Sequence, residues 1–160
     1  MKTLELFCGT KSFSKVAKEY GYETLTLDFD NTFNPDIAKN IMDFYIQDLN
    51  GYRPDIIWAS PPCQKFSVAS LGRNWNKEDM TPKNDDTKKA MQIVLKTVQI
   101  IKDLKPKYFY IENPRAMLRK IGLIPYDYST VTYCQYGFHY MKPTDIWSNN
   151  EEWLKVAKSC

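Results

Sequence analysis

The chain has little of what disulfide-rich, metal-binding or membrane proteins need. Its four cysteines lie far apart and include no CxxC pair, which argues against a disulfide scaffold or a zinc site. No run of about 18 apolar residues exists, so no membrane span is predicted. The N-terminus also has no apolar stretch long enough for a signal peptide, and we therefore expect a reducing, cytoplasmic location.

The chain also has only a small excess of positive charge and a single histidine. The formal net charge of the 160 residues is +3, which permits a nucleic-acid partner but does not argue for one. The only histidine, His139, lies in a predicted turn with no tie to a nucleophile, which disfavours a Cys-His hydrolase. What the chain does have is 11 Tyr, 8 Phe and 4 Trp, which suit a dense core or a surface that stacks on bases.

Hydrophobic patterning predicts strands that alternate with helices in one domain. The predicted strands are 3–7, 23–27, 56–60, 108–111, 128–134 and 144–148, with a weaker one within 36–43. The predicted helices are 12–20 (capped by Ser12), 87–104, 115–120 and 153–156. The helix 87–104 has the length of a crossover, so it predicts that the strands before and after it are parallel neighbours.

The strand 56–60 ends in two prolines followed by Cys63. Proline cannot donate to a sheet ladder, so the strand must stop near Ser60. Cys63 is then presented at the carboxyl edge of the sheet, where open α/β folds bind ligands. Its thiol is a candidate nucleophile, although the commoner role of a free cysteine is that of a small buried apolar residue.

The strand 108–111 is followed by Glu112, Asn113 and Pro114. We expect the strand to stop before the proline, with the acid at its end. If the two strands are parallel neighbours, Glu112 lies near Cys63. A thiol beside a proton-donating carboxyl group suits conjugate addition to a pyrimidine, in which sulfur attacks C6 and the acid holds or protonates N3. The alternative is that Glu112 is a buried acid paired with Arg115 or Lys107.

The first strand ends in a turn that contains Gly9, and the second ends in Asp28. Asp28 follows Gly9 by 19 positions, close to the spacing of about 20 at which ribose-binding acids follow a glycine turn. One glycine instead of three disfavours a pyrophosphate cradle and favours a nucleoside ligand without phosphates. The alternative is that Asp28 is a solvated acid at a strand end.

Residues 65–84 show little periodicity, which predicts a long loop. A loop of this length is either functional or a plain mobile surface loop. Ser67, Ser70 and Arg73 can bind phosphates, and Trp75 can stack on a base or wedge against one.

Three segments resemble the cofactor, nucleophile and glutamate motifs of DNA cytosine C5-methyltransferases: 4–10, 60–67 and 111–115. Segments 9–12 and 142–147 are similar to those of short, phage-type members, and the resemblance runs from Leu4 to about Asn149. It implies an α/β, Rossmann-like fold with a mostly parallel sheet and helices on both faces. It further implies one catalytic domain over 1–160, with a mobile loop at about 65–84, no separate target-recognition domain and a phage or restriction-modification setting.

The resemblance also implies S-adenosylmethionine as cofactor. Asp28 would bind its ribose hydroxyls, Phe29 would pack on adenine, and Asn40 with Ile41 stands where the family has an aspartate-isoleucine pair that meets the adenine amino group. The implied cofactor-binding residues are Phe7, Gly9, Thr10, Asp28, Phe29, Asn40, Ile41 and Pro61.

In the same way the resemblance assigns Cys63 as the C6 nucleophile, Glu112 as the partner of N3 and Lys142 as a catalytic charge. Thr144 stands where many members have a second arginine. The implied DNA-binding residues are Ser67, Ser70, Arg73 and Arg115, and no metal is expected.

The implied activity is methyl transfer to C5 of cytosine in double- or single-stranded DNA, with a partner protein as one source of sequence recognition. Two alternatives remain: a non-catalytic or split-enzyme subunit, and an enzyme that acts on free cytosine nucleotides.

Overall fold

The computed structural model describes residues 1–159. Seven strands form one sheet in the order β3-β2-β1-β4-β5-β7-β6. The strands are β1 (Lys2–Leu6), β2 (Glu23–Asp28), β3 (Ile37–Ala38), β4 (Ile56–Ala59), β5 (Tyr108–Pro114), β6 (Tyr128–Thr132) and β7 (Pro143–Ser148). The helices are α1 (Ser12–Glu19), α2 (Leu71–Asn74), α3 (Asp85–Leu104), α4 (Met117–Ile121) and α5 (Glu151–Val156). The predicted α/β class with a mostly parallel sheet is confirmed.

The first of two compact units comprises Met1–Pro61 and Lys96–Ile111. Its strands are all parallel, with Leu6 of β1 in register with Leu27 of β2 and with Ala59 of β4. Ala59 in turn pairs with Ile111 of β5, so the predicted parallel pairing of β4 and β5 is confirmed. The centre of the unit is apolar, as strands covered on both faces require. Its most buried side chains include Leu4, Leu6, Leu27, Ile57 and Ile111.

A buried acid fixes the start of α1. Glu5, in the middle of β1, is only 2% exposed, and its carboxylate accepts hydrogen bonds from Phe13 N (3.3 Å) and Ser14 N (2.9 Å). The first N–H groups of a helix have no partner within the helix, so this carboxylate acts as a cap. The predicted cap, Ser12, is instead the first helical residue, and the N-cap position is occupied by Lys11.

The second unit comprises Pro62–Leu95 and the residues from Glu112 onward. Here β6 and β7 pair antiparallel, and Arg119 on α4 forms an ion pair with Asp145, whose side chain is fully buried in β7. A buried carboxylate without such a partner would be strongly destabilising. Cys8 and Cys63 carry free thiols, whereas Cys134 is disulfide-bonded, which the wide cysteine spacing did not predict.

The segment 65–84 is more ordered than its sequence predicted. A 3₁₀ turn (Val68–Ser70) leads into α2, and Trp75 is fully buried. The Trp75 ring lies 5.9 Å from the Phe66 ring, and its indole N–H donates to the Lys65 carbonyl at 2.7 Å. The prediction that Trp75 stacks on a base is therefore wrong in this conformation, because burial of its large apolar surface outweighs its polar sequence neighbours.

The expected stop before Pro114 is also wrong, because β5 continues through that residue. Proline lacks a donor but keeps an acceptor and an extended-compatible φ, so it is tolerated at the end of a strand. The next residue, Arg115, donates its backbone N–H to the Pro143 carbonyl at 3.0 Å. The following helix consequently begins at Met117, two residues later than predicted.

Candidate functional site

The turn between β1 and α1 has an unusual backbone. Phe7, Gly9 and Lys11 all have positive φ, at 59°, 43° and 60°. A bulky residue such as Phe7 rarely adopts this conformation, and such strain is concentrated at ligand sites. A turn of this shape exposes backbone N–H groups that can bind a ligand or an anionic side chain.

Asp28 holds this turn in place. Its side chain is 7% exposed, and its two oxygens accept hydrogen bonds from Gly9 N (2.9 Å) and Asp30 N (3.0 Å). The alternative of a solvated strand-end acid is therefore wrong. Each carboxylate oxygen keeps a second lone pair, so Asp28 can position the turn and still accept a hydrogen bond from a ligand hydroxyl.

The other predicted cofactor residues of this unit differ in availability. Phe29 is 71% exposed, Thr10 is exposed and Phe7 is half-buried, whereas Ile41 and Pro61 are buried. The side-chain oxygen of Asn40 accepts from Met42 N at 2.9 Å. Because an adenine amino group needs an acceptor, only the second lone pair of that oxygen remains for it.

In the second unit, Cys63 carries a free thiol that is neither fully buried nor fully exposed. Its carbonyl accepts from the backbone N–H groups of Phe66 (2.9 Å) and Ser67 (3.0 Å), so the nucleophile candidate starts a tight turn. The interpretation of Cys63 as an enclosed apolar residue does not apply. Partial exposure is what a reacting thiol requires.

Lys142 connects the predicted catalytic residues electrostatically. Partial burial lowers the pKa of Lys142, but the opposing charges of Tyr133, Glu112 and Cys63 and a hydrogen bond with Tyr133 outweigh it, so the net pKa is raised. The Lys142 ammonium also lies 5.0 Å from the centre of the Tyr133 ring. Lys142 is thus held as a cation that interacts electrostatically with the Glu112 carboxyl group and the Cys63 thiol.

Tyr133 was not predicted as a site residue. The alternating pattern of 128–134 assigned it to a strand, but β6 ends at Thr132 and Tyr133 begins a 3₁₀ turn. Thr144, the second residue of β7, is 1% exposed, and its hydroxyl donates a hydrogen bond to the Lys142 carbonyl at 3.3 Å. Thr144 therefore supports the backbone of Lys142 and offers no charge of its own.

The predicted DNA-binding residues fall into two groups. Arg73 and Arg115 are exposed. Ser70 is 5% exposed and donates to the Ser67 carbonyl at 3.0 Å, so in this conformation it stabilises the 3₁₀ turn. Arg73 lines a cavity of about 390 Å³, whose other lining residues are Gln64, Lys65, Ser70, Asn74 and Asn84.

Within residues 1–159, no group of three or more His, Cys, Asp or Glu side chains is arranged to hold a metal ion. No helix in the same range is long and apolar enough to cross a membrane.

Comparison with known proteins gives matches over most of the chain. Relatives include the "Probable DNA (cytosine-5)-methyltransferase" of Frog virus 3 (isolate Goorha), which is 33% identical over 166 residues that cover 100% of this chain and 75% of the viral protein. The "Type II methyltransferase M.HgiGI" of Herpetosiphon aurantiacus is 29% identical over 136 residues, covering 76% of this chain and 97% of that protein.

A solved structure shares the fold. A methyltransferase encoded within a prophage (E. coli) superimposes with a TM-score of 0.65 at 18% identity, covering 99% of this chain and 49% of that one. The chain thus spans about half the length of this structural neighbour. The sequence model of the C-5 cytosine-specific DNA methylases matches residues 1–122. The resemblance seen in the motifs is therefore confirmed, and the chain belongs to the C-5 cytosine-specific DNA methylase family.

Proposed function

We propose that this protein transfers a methyl group from S-adenosylmethionine to C5 of cytosine in DNA, with Cys63 as the nucleophile. One observation carries the assignment: Ala59 of β4 pairs in parallel with Ile111 of β5, so the segments that follow them, with the free Cys63 thiol and with Glu112, start from the same edge of the sheet. The charges of Glu112 and Cys63 also raise the pKa of Lys142, which supports the same grouping. Family membership supplies the chemistry that this combination would perform. A thiol, a carboxyl group and a fixed cation match the needs of addition to a pyrimidine.

In the proposed reaction the Cys63 thiolate adds to C6 of the cytosine while Glu112 gives a proton to N3. The added electron density makes C5 nucleophilic, and C5 would take the methyl group as the bond from that group to the cofactor sulfur breaks. Transfer of the C5 proton to solvent and expulsion of the thiolate would then restore the aromatic ring, and the N3 proton would return to Glu112. Lys142 contributes positive charge, which would stabilise negative charge that develops during the reaction.

S-adenosylmethionine, when bound, supplies the electrophilic methyl group. The residues proposed to hold it fit a nucleoside without phosphates: the turn at Phe7 and Gly9 has strained backbone, Asp28 keeps free acceptor lone pairs, and Phe29 is 71% exposed. Thr10, Asn40, Ile41 and Pro61 complete the proposed set. Ile41 and Pro61 are buried and would contribute shape and backbone groups only.

DNA contacts are assigned to the basic side chains of the second unit. Arg73 and Lys65 line the same cavity, and Arg115 is exposed just after Glu112. Taking a base out of a duplex costs a few kcal/mol, which phosphate contacts and movement of the segment 65–84 must offset. Ser67 and Ser70 would contact DNA only after such a movement, because their hydroxyls now bond within the 3₁₀ turn.

The test is transfer of tritiated methyl groups to DNA by the purified chain and by Cys63→Ser. We expect the variant to lose transfer and to keep its cofactor affinity, because serine is far less nucleophilic than a thiolate. Cys8→Ala is the matched control. Burial, followed by the charges of Asp28 and Glu5, raises the pKa of Cys8 to about 11, so this second free thiol stays protonated.

Methyl transfer by Cys63→Ser at the rate of the unaltered chain would remove Cys63 from the mechanism. Two further arms separate the alternatives. Label on mononucleotides and not on polymer would favour an enzyme for free nucleotides. Cofactor binding without transfer, relieved by adding a second protein, would favour a split enzyme.

A further inference from the structure

An exposed cluster of aromatic rings follows β6 in the second unit. Tyr133, Phe138 and Tyr140, here called the aromatic platform, have ring centroids 5.3, 5.8 and 5.7 Å apart in the three pairings. Phe138 is 52% exposed and Tyr140 is 54% exposed. The three rings therefore support one another from one side and leave roughly half of the two outer rings open to solvent.

Such exposure is unfavourable unless it serves binding. Adjacent large apolar side chains at the surface are disfavoured in a soluble protein and mark interaction sites. Two further residues of the same segment are exposed, Tyr136 by 51% and Met141 by 64%. The platform thus lies in a segment that exposes several large apolar side chains.

The charge around the platform indicates the partner. Residues 128–142 contain no aspartate or glutamate, and their charged member is Lys142, with His139 between the two outer rings in sequence. The Lys142 ammonium lies 5.0 Å from the Tyr133 ring centre. Exposed aromatic rings beside a cation are a combination that binds single-stranded nucleic acid, since rings stack on bases and cations meet phosphates.

We propose that the aromatic platform stacks on unpaired bases of a DNA strand whose target cytosine is at Cys63, so that single-stranded or locally opened DNA is the preferred substrate. The inference rests on the proposed function. In a duplex the faces of the bases are covered by their neighbours, whereas unpaired bases present them. Lys142 interacts electrostatically with Cys63 and Glu112 and also lies against Tyr133, so a strand on the platform leads towards the thiol.

The test measures binding of a fluorescently labelled single strand and of a hairpin duplex with the same sequence, by anisotropy at fixed salt. The variant is the double substitution Phe138→Leu with Tyr140→Leu, which keeps apolar surface and removes two stacking faces. We expect at least about tenfold weaker binding of the single strand and less than about twofold change for the duplex, since loss of each stacked base corresponds to an effect of about 5- to 150-fold and two stacking faces are removed. Tyr20→Leu, a substitution at a 76% exposed residue of the first unit, is the matched control.

Phe138→Trp gives a direct signature that survives if the double variant folds poorly. Its added fluorescence should be quenched by the single strand and not by the duplex, because stacked bases quench indole emission. Unchanged single-strand affinity in the double variant, equal loss for both DNA forms, or no quenching would overturn the proposal.

Failure of this inference and failure of the proposed function give different results. Methyl transfer to duplex DNA without any single-strand preference would contradict the platform and leave the activity intact. Ring-dependent binding of single strands without transfer to any DNA would support the platform and contradict the activity.

Discussion

Asp28 has two tasks that can be separated by substitution. Both of its oxygens accept backbone N–H groups, one of them from the Gly9 turn, and the same side chain is the proposed partner of a ribose. We expect Asp28→Ala to weaken cofactor binding by roughly 1–3 kcal/mol, because both the turn and the ligand hydroxyls lose an acceptor. Calorimetric titration of S-adenosylmethionine measures this change.

Asp28→Asn helps to distinguish the two tasks, because its amide oxygen can still accept from Gly9 N, whereas its amide nitrogen cannot accept from Asp30 N and its charge is gone. We expect the asparagine variant to lose less stability in urea than the alanine variant and to bind the cofactor less tightly than the unaltered chain. Unchanged cofactor affinity in the alanine variant would contradict the assignment of Asp28.

At the scale of elements, the contact between β1 and α1 carries a pH dependence. Burial raises the pKa of Glu5 above its ordinary value of 4.5, against the hydrogen bonds with Ser14 and Phe13 and the charge of Lys11, which lower it. A raised folded-state pKa means that the contribution of Glu5 to stability is complete below about pH 4.5 and is lost as the pH rises through the folded-state pKa.

We therefore expect the free energy of unfolding of the unaltered chain to fall, relative to Glu5→Gln, as the pH is raised from about 4 to about 8. The glutamine amide stays neutral and can still accept from the first turn of α1. Urea unfolding at several pH values measures the difference, and Glu19→Gln, at the exposed end of the same helix, controls for removing a negative charge. A difference that does not change with pH would show that burial of Glu5 does not perturb its titration.

Several elements could be predicted because their signal is local. The apolar spacing of α3 and its N-terminal Asn84, which accepts from Thr87 N at 2.9 Å, are both visible in the sequence. The end of β4 before Pro61 is likewise dictated by the chemistry of proline.

Other features could not be predicted because tertiary contacts decide them. The cap supplied by Glu5 comes from a different element, and the order of 65–84 depends on packing of Trp75 against Phe66. In the site, the motifs indicated Cys63, Glu112 and Lys142, whereas Tyr133 joins them through a turn that follows the predicted strand.

For the molecule as a whole, a net charge of +3 provides little long-range attraction to DNA. Binding should therefore depend on a few local phosphate contacts, and its salt dependence should reveal them. We expect Arg73→Ala and Arg115→Ala each to reduce the slope of log K against log salt by about 0.7–0.9, the value for one released counterion. Titrations at several salt concentrations measure the slopes.

Lys155→Ala, on α5, removes the same charge from an exposed position without a proposed DNA contact and should leave the slope unchanged. Equal reductions in all three variants would indicate a general charge effect and contradict the assignment of Arg73 and Arg115.

The burial of Trp75 restricts the movement of the segment 65–84, which follows Cys63. The indole is bonded to Lys65 and packed on Phe66, and the Phe66 carbonyl in turn accepts from Met117 N at 3.0 Å. Because these contacts hold Trp75 and Phe66 in place, the segment 65–84 cannot move as a freely flexible loop. If the segment 65–84 moves during the proposed reaction, the Trp75–Phe66 pair must first leave its packing, which would place that motion among slow collective events of microseconds to milliseconds.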